Sequence, residues 1–501
     1  MTKNIINVIL QIMKYIKIQK GGLFKKMKNN KRIFSLLLLA CMIFSFSACA
    51  QAPEEEIIPD YSSEIGEIDF MGAEFKFMQQ NEEHTTGEDY FGYVANTEFA
   101  DLALQRVKEV ESNFNVKVNV ITGKDIPSTI QNETYAGLVS VDAVQAKSTQ
   151  MGGTVRAGLL YDITQLGDYI NYTDAEKWGN EELLKPFFWD GGLYGVVPAA
   201  WPIHKYRSMD GPMVVNEDLI RSINETDPRE FVEKDEWTWD KLEELMPVYN
   251  HINNAGDEVK ALYTTVHWLF RTIQSTNGEG FVFQDENGEY QLGLHSDKTF
   301  EAMATAWDWA FGDYASFVYI DTSNVWENML QAFLDNKSVL TIMNGTDLVG
   351  AENSIAYQMA NFGVVPFPRG PFGNNNTTSG TTITEVRFGT FIPLLSKDPA
   401  MSAIVLNAIY EPLTGYETEE SIIEYLRHNY FFDDRDVVNF VDAFNNIVYN
   451  YRNEALTDVY IGINSSKSMR EWLDQYAEAD EKNRAEYVVN IENTIDELFG
   501  E

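Results

Sequence analysis

The sequence is poorest in cysteine, with only Cys41 and Cys49 among its 501 residues. Because both lie within the first fifty positions, the rest of the chain can form no internal disulfide and must rely on a packed core for stability. Histidine is also scarce, and the six histidines are never paired at the spacing of metal ligands. A hydrophobic content of 44% and an aromatic content of 13% nevertheless exclude disorder for the bulk of the chain.

The motifs of the common enzyme classes are missing as well. There is no His-Glu-x-x-His zinc motif, no Gly-x-Ser-x-Gly elbow and no Walker loop. Residues 433–436 contain three aspartates but lack the glycine and final glutamate of a calcium loop, so we interpret them as a solvated helix end. A glycosidase needs only two carboxylates across a cleft, and 76 acidic residues leave that class open without favouring it. We therefore predict a protein that is not an enzyme and that holds no metal or cofactor.

Basic residues are few outside the N-terminal leader. Residues 1–48 contain nine of the 38 Lys and Arg residues and none of the 76 Asp and Glu residues. The remaining 453 residues therefore carry 29 basic and 76 acidic side chains, a net charge of −47. This excess argues against nucleic acid as a partner, because phosphate binding needs clusters of Lys and Arg. A length of 453 residues fits two domains better than one.

The leader has the form of a secretory signal peptide. Basic residues at 25–32 precede an apolar run at 33–46 and then small residues directly before Cys49. The apolar run is shorter than the roughly 20 residues that a membrane-spanning helix needs. The small-small-Cys ending resembles the lipobox of bacterial lipoproteins, which implies that Cys49 begins the mature chain and carries a lipid such as palmitate. An ordinary signal peptide that ends near a cysteine is the alternative. Since Met27 begins a leader of ordinary length, we expect translation to start there.

Hydrophobic periodicity predicts an α/β protein. An alternating strand at 73–78, a helical pattern at 97–114 and an alternating strand at 116–121 form a βαβ unit, which predicts a parallel sheet. Thr238 is a predicted helix cap, and Asn287-Gly288 predicts a hairpin turn within 281–294. Further strands are predicted at 139–144, 339–343 and 362–366, helices at 298–311 and 323–335, and a mostly helical segment after Lys397.

Segments along nearly the whole body follow one another in a recognisable order. They are Asp142-Ala143-Val144 with Met151-Gly152-Gly153, residues 158–164, 190–198 and 214–219, Trp237-Thr238-Trp239-Asp240, and residues 332–338, 343–345 and 362–368. In order and spacing this series resembles the extracellular solute-binding proteins of family 1, the oligosaccharide-binding group. No single motif is specific to that family.

The resemblance implies a two-lobed fold of the periplasmic-binding-protein type (type II), with a hinge and a ligand cleft between the lobes. It assigns 66–200 with about 385–415 to lobe 1 and 201–384 with about 416–501 to lobe 2, after a signal peptide at 1–48 and a lipid-anchored tether at 49–65. The implied function is that of a monomeric lipoprotein of an ABC importer, on the outer face of a Gram-positive cytoplasmic membrane. It would deliver a sugar, most simply an oligosaccharide, to permease subunits in the membrane. A lipoprotein that presents its ligand to a sensor, and a surface glycosidase or lyase, are the alternatives.

The family's loop after the third strand faces the cleft, and here it is almost entirely polar. We therefore expect ligand contacts from Gln145, Lys147, Ser148, Thr149 and Gln150, against the alternative of a solvated loop.

The other candidate ligand contacts lie near the crossovers and in the second lobe. Aromatic side chains favour a sugar, because they can stack on pyranose rings. Packing at the hinge is the alternative for Trp201, packing in the core is the alternative for Trp268, and an interlobe salt bridge is the alternative for Arg387. A neutral oligosaccharide ranks ahead of a uronic-acid oligosaccharide, for which Lys147, Lys205 and Arg387 would supply basic groups. These further candidates are Trp201, His204, Tyr206, Tyr263, Trp268, Asn344, Asp347 and Arg387.

Overall fold

The structure is a computed structural model. It describes residues 68–80, 91–94, 96–278, 281–293, 296–312, 314, 317–319, 325–350, 354–373, 380–451 and 468–500. These residues belong to one structural unit, Ile65–Glu501. The predicted signal peptide, the start at Met27, the lipidated Cys49 and the tether lie outside the described residues.

The first sheet contains the predicted βαβ unit. Its strands are β1 (Ala73–Gln80), β2 (Val116–Gly123), β3 (Ala143–Ala146) and β15 (Gly389–Phe391), in the order β15-β3-β1-β2. The first three strands run parallel to one another, whereas β15 runs antiparallel to β3. Alternation along β1 places Phe75 and Phe77 fully in the core. The parallel sheet predicted from the sequence is confirmed.

Helices and short segments surround this sheet. The first helix ends where Asn115 takes a left-handed conformation (φ 46°), so the chain turns directly into β2. The third strand begins four residues later than predicted, since Ser140 is held in a loop by hydrogen bonds to Glu133. The elements are α1 (Glu98–Phe114), α2 (Ile126–Ala136), α3 (Ser148–Arg156), α4 (Ala175–Trp178), α5 (Glu181–Leu184) and the hairpin β4 (Phe188–Trp189) and β5 (Gly192–Leu193).

The second sheet is larger and mixed. Its strands are β6 (Asp210–Asn216), β7 (His251–Ile252), β8 (Glu258–Thr265), β11 (Phe317–Tyr319), β12 (Ser338–Asn344), β13 (Phe362–Val365), β14 (Thr382–Ile383) and β16 (Val448–Tyr449). The main path runs β11-β8-β12-β6-β14-β16, with β13 paired to β6 and β7 paired to β8. Strand β8 runs parallel to β12, and β6 runs antiparallel to β12 and β14.

Local signals in the sequence account for several elements around this sheet. Thr238 caps its helix by accepting a hydrogen bond from the Lys241 N–H, as predicted. The hairpin β9 (Val282–Gln284) and β10 (Tyr290–Leu292) confirms the predicted turn. The helices are α6 (Glu217–Ile223), α7 (Pro228–Glu233), α8 (Trp239–Tyr249), α9 (Val266–Ser275), α10 (Asp297–Phe311), α11 (Val325–Leu334), α12 (Gly345–Val349) and α13 (Ile355–Gln358).

The last part of the chain is mostly helical, as predicted after Lys397. The segment 433–436 lies at a helix start, where Asp433 accepts a hydrogen bond from the Arg435 N–H. The solvated helix end expected there is wrong for Asp436, which is buried and lies 2.8 Å from Arg229 Nη1. Among the residues that the structure describes, no helix is both long and apolar enough to cross a membrane. These helices are α14 (Pro399–Ile409), α15 (Glu419–Asn429), α16 (Asp434–Asn445) and α17 (Met469–Phe499).

Each sheet with its helices forms a lobe, and the chain crosses between the lobes more than once. The first crossing, residues 197–209, leads from the first sheet into β6. The second crossing, residues 384–388, leads from β14 back to β15 in the first sheet. Both crossings join the sheets at one edge, and the polar side chains gather there.

Candidate functional site

The second crossing lies at the carboxyl ends of the parallel strands in both sheets. In the first sheet, Gly389 pairs with Ala146 at the end of β3. In the second sheet, Asp210 pairs with Asn344 at the end of β12 and with Thr382 of β14. Open α/β sheets bind ligands beyond the carboxyl ends of their strands. This shared edge is therefore the candidate site.

The predicted polar loop after β3 packs directly on the second crossing. The Ser148 N–H donates to the Val386 carbonyl oxygen (2.8 Å), and the Val386 N–H donates to Ser148 Oγ (2.9 Å). Thr149 Oγ1 donates to Glu385 Oε2 at 2.7 Å, and Lys147 Nζ lies 3.4 Å from Glu385 Oε1. Gln150 follows on the first turn of α3 and is partly exposed. The loop and the crossing thus form one hydrogen-bonded surface.

Glu385 is the centre of this surface, and it was not among the residues predicted from the sequence. Besides Lys147 and Thr149 it faces Arg387, whose Nη1 lies 3.8 Å from Glu385 Oε1. Burial acts to raise the pKa of Glu385, but the charges of Arg387 and Lys147 and the Thr149 hydroxyl outweigh it and lower that pKa. The carboxylate is therefore ionised and carries the charge that compensates its two basic neighbours.

Arg387 joins the two crossings to each other. Its backbone N–H donates to Ser208 Oγ (3.2 Å), and its Nε donates to the Arg207 carbonyl oxygen (3.2 Å). The carboxylate that Arg387 faces, Glu385, belongs to the same crossing, so this contact is not the interlobe salt bridge considered as the alternative for Arg387. These bonds fix the second crossing against the first.

The second lobe contributes its own polar groups to the edge. Asn344 caps α12, where its Oδ1 accepts from the Asp347 N–H (2.7 Å) and its Nδ2 donates to Asp347 Oδ2 (2.8 Å). Thr384 donates its hydroxyl to the Asp210 carboxylate. The Gly345 N–H donates to the Met209 carbonyl oxygen at 2.8 Å, which anchors α12 to the first crossing. Asn344 and Asp347 therefore lie at this edge.

The structure places Gln145 away from this surface. Its side chain is buried (4% exposed), and its Nε2 donates to the Tyr410 hydroxyl at 3.0 Å. Gln145 belongs to β3 itself, so its side chain points into the first lobe, whereas the loop residues after it reach the edge.

Trp201 lies in the interior of the first lobe. Its ring is fully buried and stacks on Tyr93 (5.8 Å between centroids), with Tyr410 edge-on at 5.0 Å. Its Nε1 donates to the Glu411 carbonyl oxygen at 3.0 Å. Since no face of the ring is open to the cleft in this arrangement, Trp201 has the packing role considered as the alternative to sugar stacking.

His204 is part of the same aromatic cluster. Its ring is fully buried, stacks on Phe388 at 4.2 Å, and has Nε2 2.8 Å from the Phe91 carbonyl oxygen. Burial, together with the nearby charge of Arg207, lowers the pKa of His204 to about 3. A neutral buried imidazole with these neighbours fixes the first crossing and has no open side toward a ligand.

Tyr206 and Trp268 are packed in the interior, whereas Tyr263 is partly exposed. Tyr206 is fully buried against Phe440 and Phe444. Trp268 lies on α9, all of whose residues are buried, which is the core role considered as its alternative. Tyr263 lies within β8, two residues before its end, and its side chain is only partly buried.

The side chains at this edge are polar groups of several chemical kinds. Within the described ranges, no group of three or more His, Cys, Asp or Glu side chains is arranged to hold a metal ion. The arrangement offers hydroxyl, amide, ammonium and carboxylate groups at the meeting point of two lobes. Such groups suit recognition of a polar molecule by hydrogen bonds.

Comparison with known proteins places this geometry in context. Residues 105–385 match the model of a family described as bacterial extracellular solute-binding protein. No curated protein sequence matches the chain.

Solved structures share the architecture at low sequence identity. The GacH receptor of Streptomyces glaucescens, solved unliganded and with acarbose and an acarbose homolog, has 13% identity and a TM-score of 0.50, over 85% of this chain and 98% of that one. A cyclo/maltodextrin-binding protein complexed with maltotetraose has 14% identity and a TM-score of 0.51, over 84% and 97%. At these identities the likeness shows the fold, and it confirms the predicted two-lobed type.

Proposed function

Because the chain belongs to the bacterial extracellular solute-binding proteins, which work outside the cytoplasm and bind rather than convert their solutes, we propose that it captures a neutral carbohydrate between its lobes. The observation that carries this proposal is the second crossing. It holds Glu385 and Arg387 at the carboxyl edges of both sheets, against the polar loop that contains Lys147 and Thr149.

The charges at this edge support a ligand without net negative charge. Lys147 and Arg387 both face Glu385, and Asp210 and Asp347 add two carboxylates from the second lobe. An acidic sugar would have to enter among three carboxylates and compete with Glu385 for its two cations. Sugar hydroxyls, in contrast, can both donate to these carboxylates and accept from the cations without a charge penalty.

The cellular role follows from the family and the leader. We propose that Cys49 carries a lipid that anchors the monomeric protein on the outer face of the membrane. The body would then deliver its sugar to the membrane subunits of an ABC importer. Support for the sugar class comes from the similar proteins that hold maltotetraose and acarbose and from the hydroxyl and amide groups at the edge.

A thermal-shift screen of residues 50–501 tests the proposal. The panel contains neutral oligosaccharides, beginning with maltotetraose, together with uronic-acid oligosaccharides and amino acids. A ligand at 100 times its dissociation constant should stabilise the fold by about 2.7 kcal/mol. We expect neutral sugars alone to raise the melting temperature and to be recovered unchanged. A shift with uronic acids alone, or a sugar returned cleaved, would contradict the proposal.

The variant Glu385→Gln tests whether this carboxylate determines the preference for neutral sugars. Removing this charge leaves Lys147 and Arg387 uncompensated, so affinity for the neutral sugar should fall roughly ten- to a hundredfold, as expected for loss of charge-assisted hydrogen bonds. Uronic-acid oligosaccharides should gain affinity in the same variant. The matched control is Glu244→Gln, which removes an exposed carboxylate from α8 (67% side-chain exposure) and should leave binding unchanged.

A further inference from the structure

A surface cavity of about 420 Å³ lies in the second lobe, at the end of the sheet opposite the candidate site. It is formed where β6 ends and where β12 and β13 begin. Because β6 runs antiparallel to both β12 and β13, these three points meet at one end of the sheet. The lining residues come from the start of α6, the end of α11 and the segment between α13 and β13.

The cavity is separate from the polar edge between the lobes. Strand β12 begins at Ser338, two residues after the cavity-lining Asn336, and ends at Asn344 on the interlobe edge. Six residue steps of about 3.3 Å each place these two ends roughly 20 Å apart. A small molecule bound at one of the two places therefore does not reach the other, and each can be tested without the other.

Hydrogen bonds hold the walls of the cavity in place. At the end of β6, the fully buried Asn216 donates from Nδ2 to Asn336 Oδ1 (2.7 Å) and accepts at Oδ1 from the Leu219 N–H (3.1 Å). The Glu217 N–H donates to the Asn361 carbonyl oxygen at 3.2 Å, which joins α6 to the start of β13. Asn336 has a left-handed backbone (φ 58°), a conformation that asparagine adopts more readily than most residues. The shape of the cavity is thus fixed by the chain around it.

Carboxamide groups are the commonest polar groups in the lining. A carboxamide both donates and accepts hydrogen bonds, and so does the hydroxyl group of a sugar. Leu334 and Met359 add apolar surface, against which the C–H face of a sugar ring can pack. The carboxamide residues are Gln331, Asn336, Gln358 and Asn361.

The charges around the cavity favour a neutral occupant. Asp218 supplies the carboxylate of the lining, and its Oδ1 accepts from Asn361 Nδ2 (3.1 Å) and from Arg221 Nη2 (3.1 Å). Among the described residues that line the cavity there is no Lys or Arg, so an anion would meet no cation there. A cation would meet one carboxylate whose charge Arg221 already compensates.

We propose that this cavity is a second binding site, which takes one or two sugar units of a neutral glycan. The carboxamides exchange hydrogen bonds with the sugar hydroxyls, and Leu334 and Met359 contact the ring. A volume of about 420 Å³ is at the small end of the roughly 300–1,000 Å³ of small-molecule sites, which suits a short sugar better than a long one. This site does not rest on the proposed function, since it shares no residue with the interlobe edge.

NMR of methyl-labelled methionine tests this site, because Met359 lines the cavity and its resonance can be assigned with Met359→Leu. Residues 50–501 are titrated with glucose, N-acetylglucosamine and maltose, and separately with the charged sugars glucosamine and glucuronate. Each reaches about 100 mM, roughly a hundred times a dissociation constant of 1 mM. We expect the neutral sugars to shift the Met359 resonance along a saturable curve and the charged sugars to shift it much less.

Two variants locate the binding. Ala360→Tyr places a bulky side chain in the lining and should abolish the Met359 shift. Gln331→Ala removes one exposed carboxamide and should weaken binding about two- to tenfold, as expected for a neutral hydrogen bond. The matched control Ala255→Tyr adds the same ring at an exposed turn between β7 and β8 and should leave the curve unchanged. In Glu385→Gln, which weakens the interlobe site, the Met359 shift should persist.

Several results would overturn the proposal. One is the absence of any Met359 shift with the neutral sugars, and another is a stronger shift with a charged sugar. A shift that persists in Ala360→Tyr, or that disappears in Glu385→Gln, would place the bound sugar outside the cavity. If the proposed function alone fails, Glu385→Gln changes no sugar affinity, and the Met359 titration with Ala360→Tyr still decides the role of the cavity.

Discussion

At the level of single residues, the polar side chains at the interlobe edge come from loops that follow strand ends, whereas Trp201 and His204 of the first crossing are packed in the interior. Lys147 and Thr149 reach the interlobe edge because they follow directly on a strand whose carboxyl end lies there. Trp201 and His204 were predicted from residue type near a crossover, yet both are fully buried. An aromatic ring that supports a hinge and one that stacks on a sugar look the same in sequence, since only packing partners distinguish them.

His204 gives the protein a specific sensitivity to acid. Its pKa of about 3 in the folded protein lies below the value of about 6.5 expected in the unfolded chain. The unfolded chain therefore binds a proton that the folded protein does not, and stability is lost as the pH falls from about 6.5 toward 3. The variant His204→Gln lacks this loss, so its unfolding free energy should fall less steeply over this range. The difference in slope between the wild type and the variant should be up to about 1.4 kcal/mol per pH unit.

Urea denaturation at pH 7, 6 and 5 measures this slope. The matched control is His428→Gln, which removes a histidine whose side chain is 71% exposed. Equal slopes in the wild type and the His204 variant would show that the imidazole is not held neutral by burial.

At the level of helices and strands, local patterns determined most of the first lobe. The alternation of β1 and β2 and the helical spacing of α1 are present in short stretches of sequence. The Thr238 cap in the second lobe is a local signal of the same kind. The start of β3 was misplaced because an apolar residue, Val139, continues the strand pattern. The competing hydrogen bonds of Ser140 to Glu133 come from a residue seven positions away on α2.

Helix α12 depends on a glycine for its contact with the first crossing. A Cβ atom on Gly345 would lie 1.8 Å from the Tyr206 carbonyl oxygen and 2.7 Å from its carbonyl carbon. Gly345→Ala must therefore displace the helix or the crossing, and we expect a loss of about 1–3 kcal/mol of unfolding free energy in urea denaturation.

Gly167→Ala is the control for this substitution. A Cβ atom there meets its nearest neighbour at 3.5 Å, and Gly167 has an ordinary helical φ of −54°. Its stability should remain close to that of the wild type. If Gly345→Ala were equally stable, the close approach of α12 to Tyr206 would not constrain the fold.

At the level of the whole molecule, the order of family-like segments predicted two lobes. Only some of the residues that form the polar site between the lobes were predicted. Val386 and Ser148 exchange hydrogen bonds across 238 positions of sequence. Such a pairing follows from the return of the chain to the first sheet through β15, and no local pattern encodes it. Glu385 was missed for this reason, although it lies two residues from the predicted Arg387.

Small-angle X-ray scattering of residues 50–501, with and without a neutral oligosaccharide that stabilises the body, tests the central claim most directly. A ligand held between hinged lobes should draw them together, so the radius of gyration should decrease at saturation. Saturating binding with an unchanged radius of gyration would show that the sugar binds elsewhere, and would contradict a site at the edge formed by Lys147, Glu385 and Arg387.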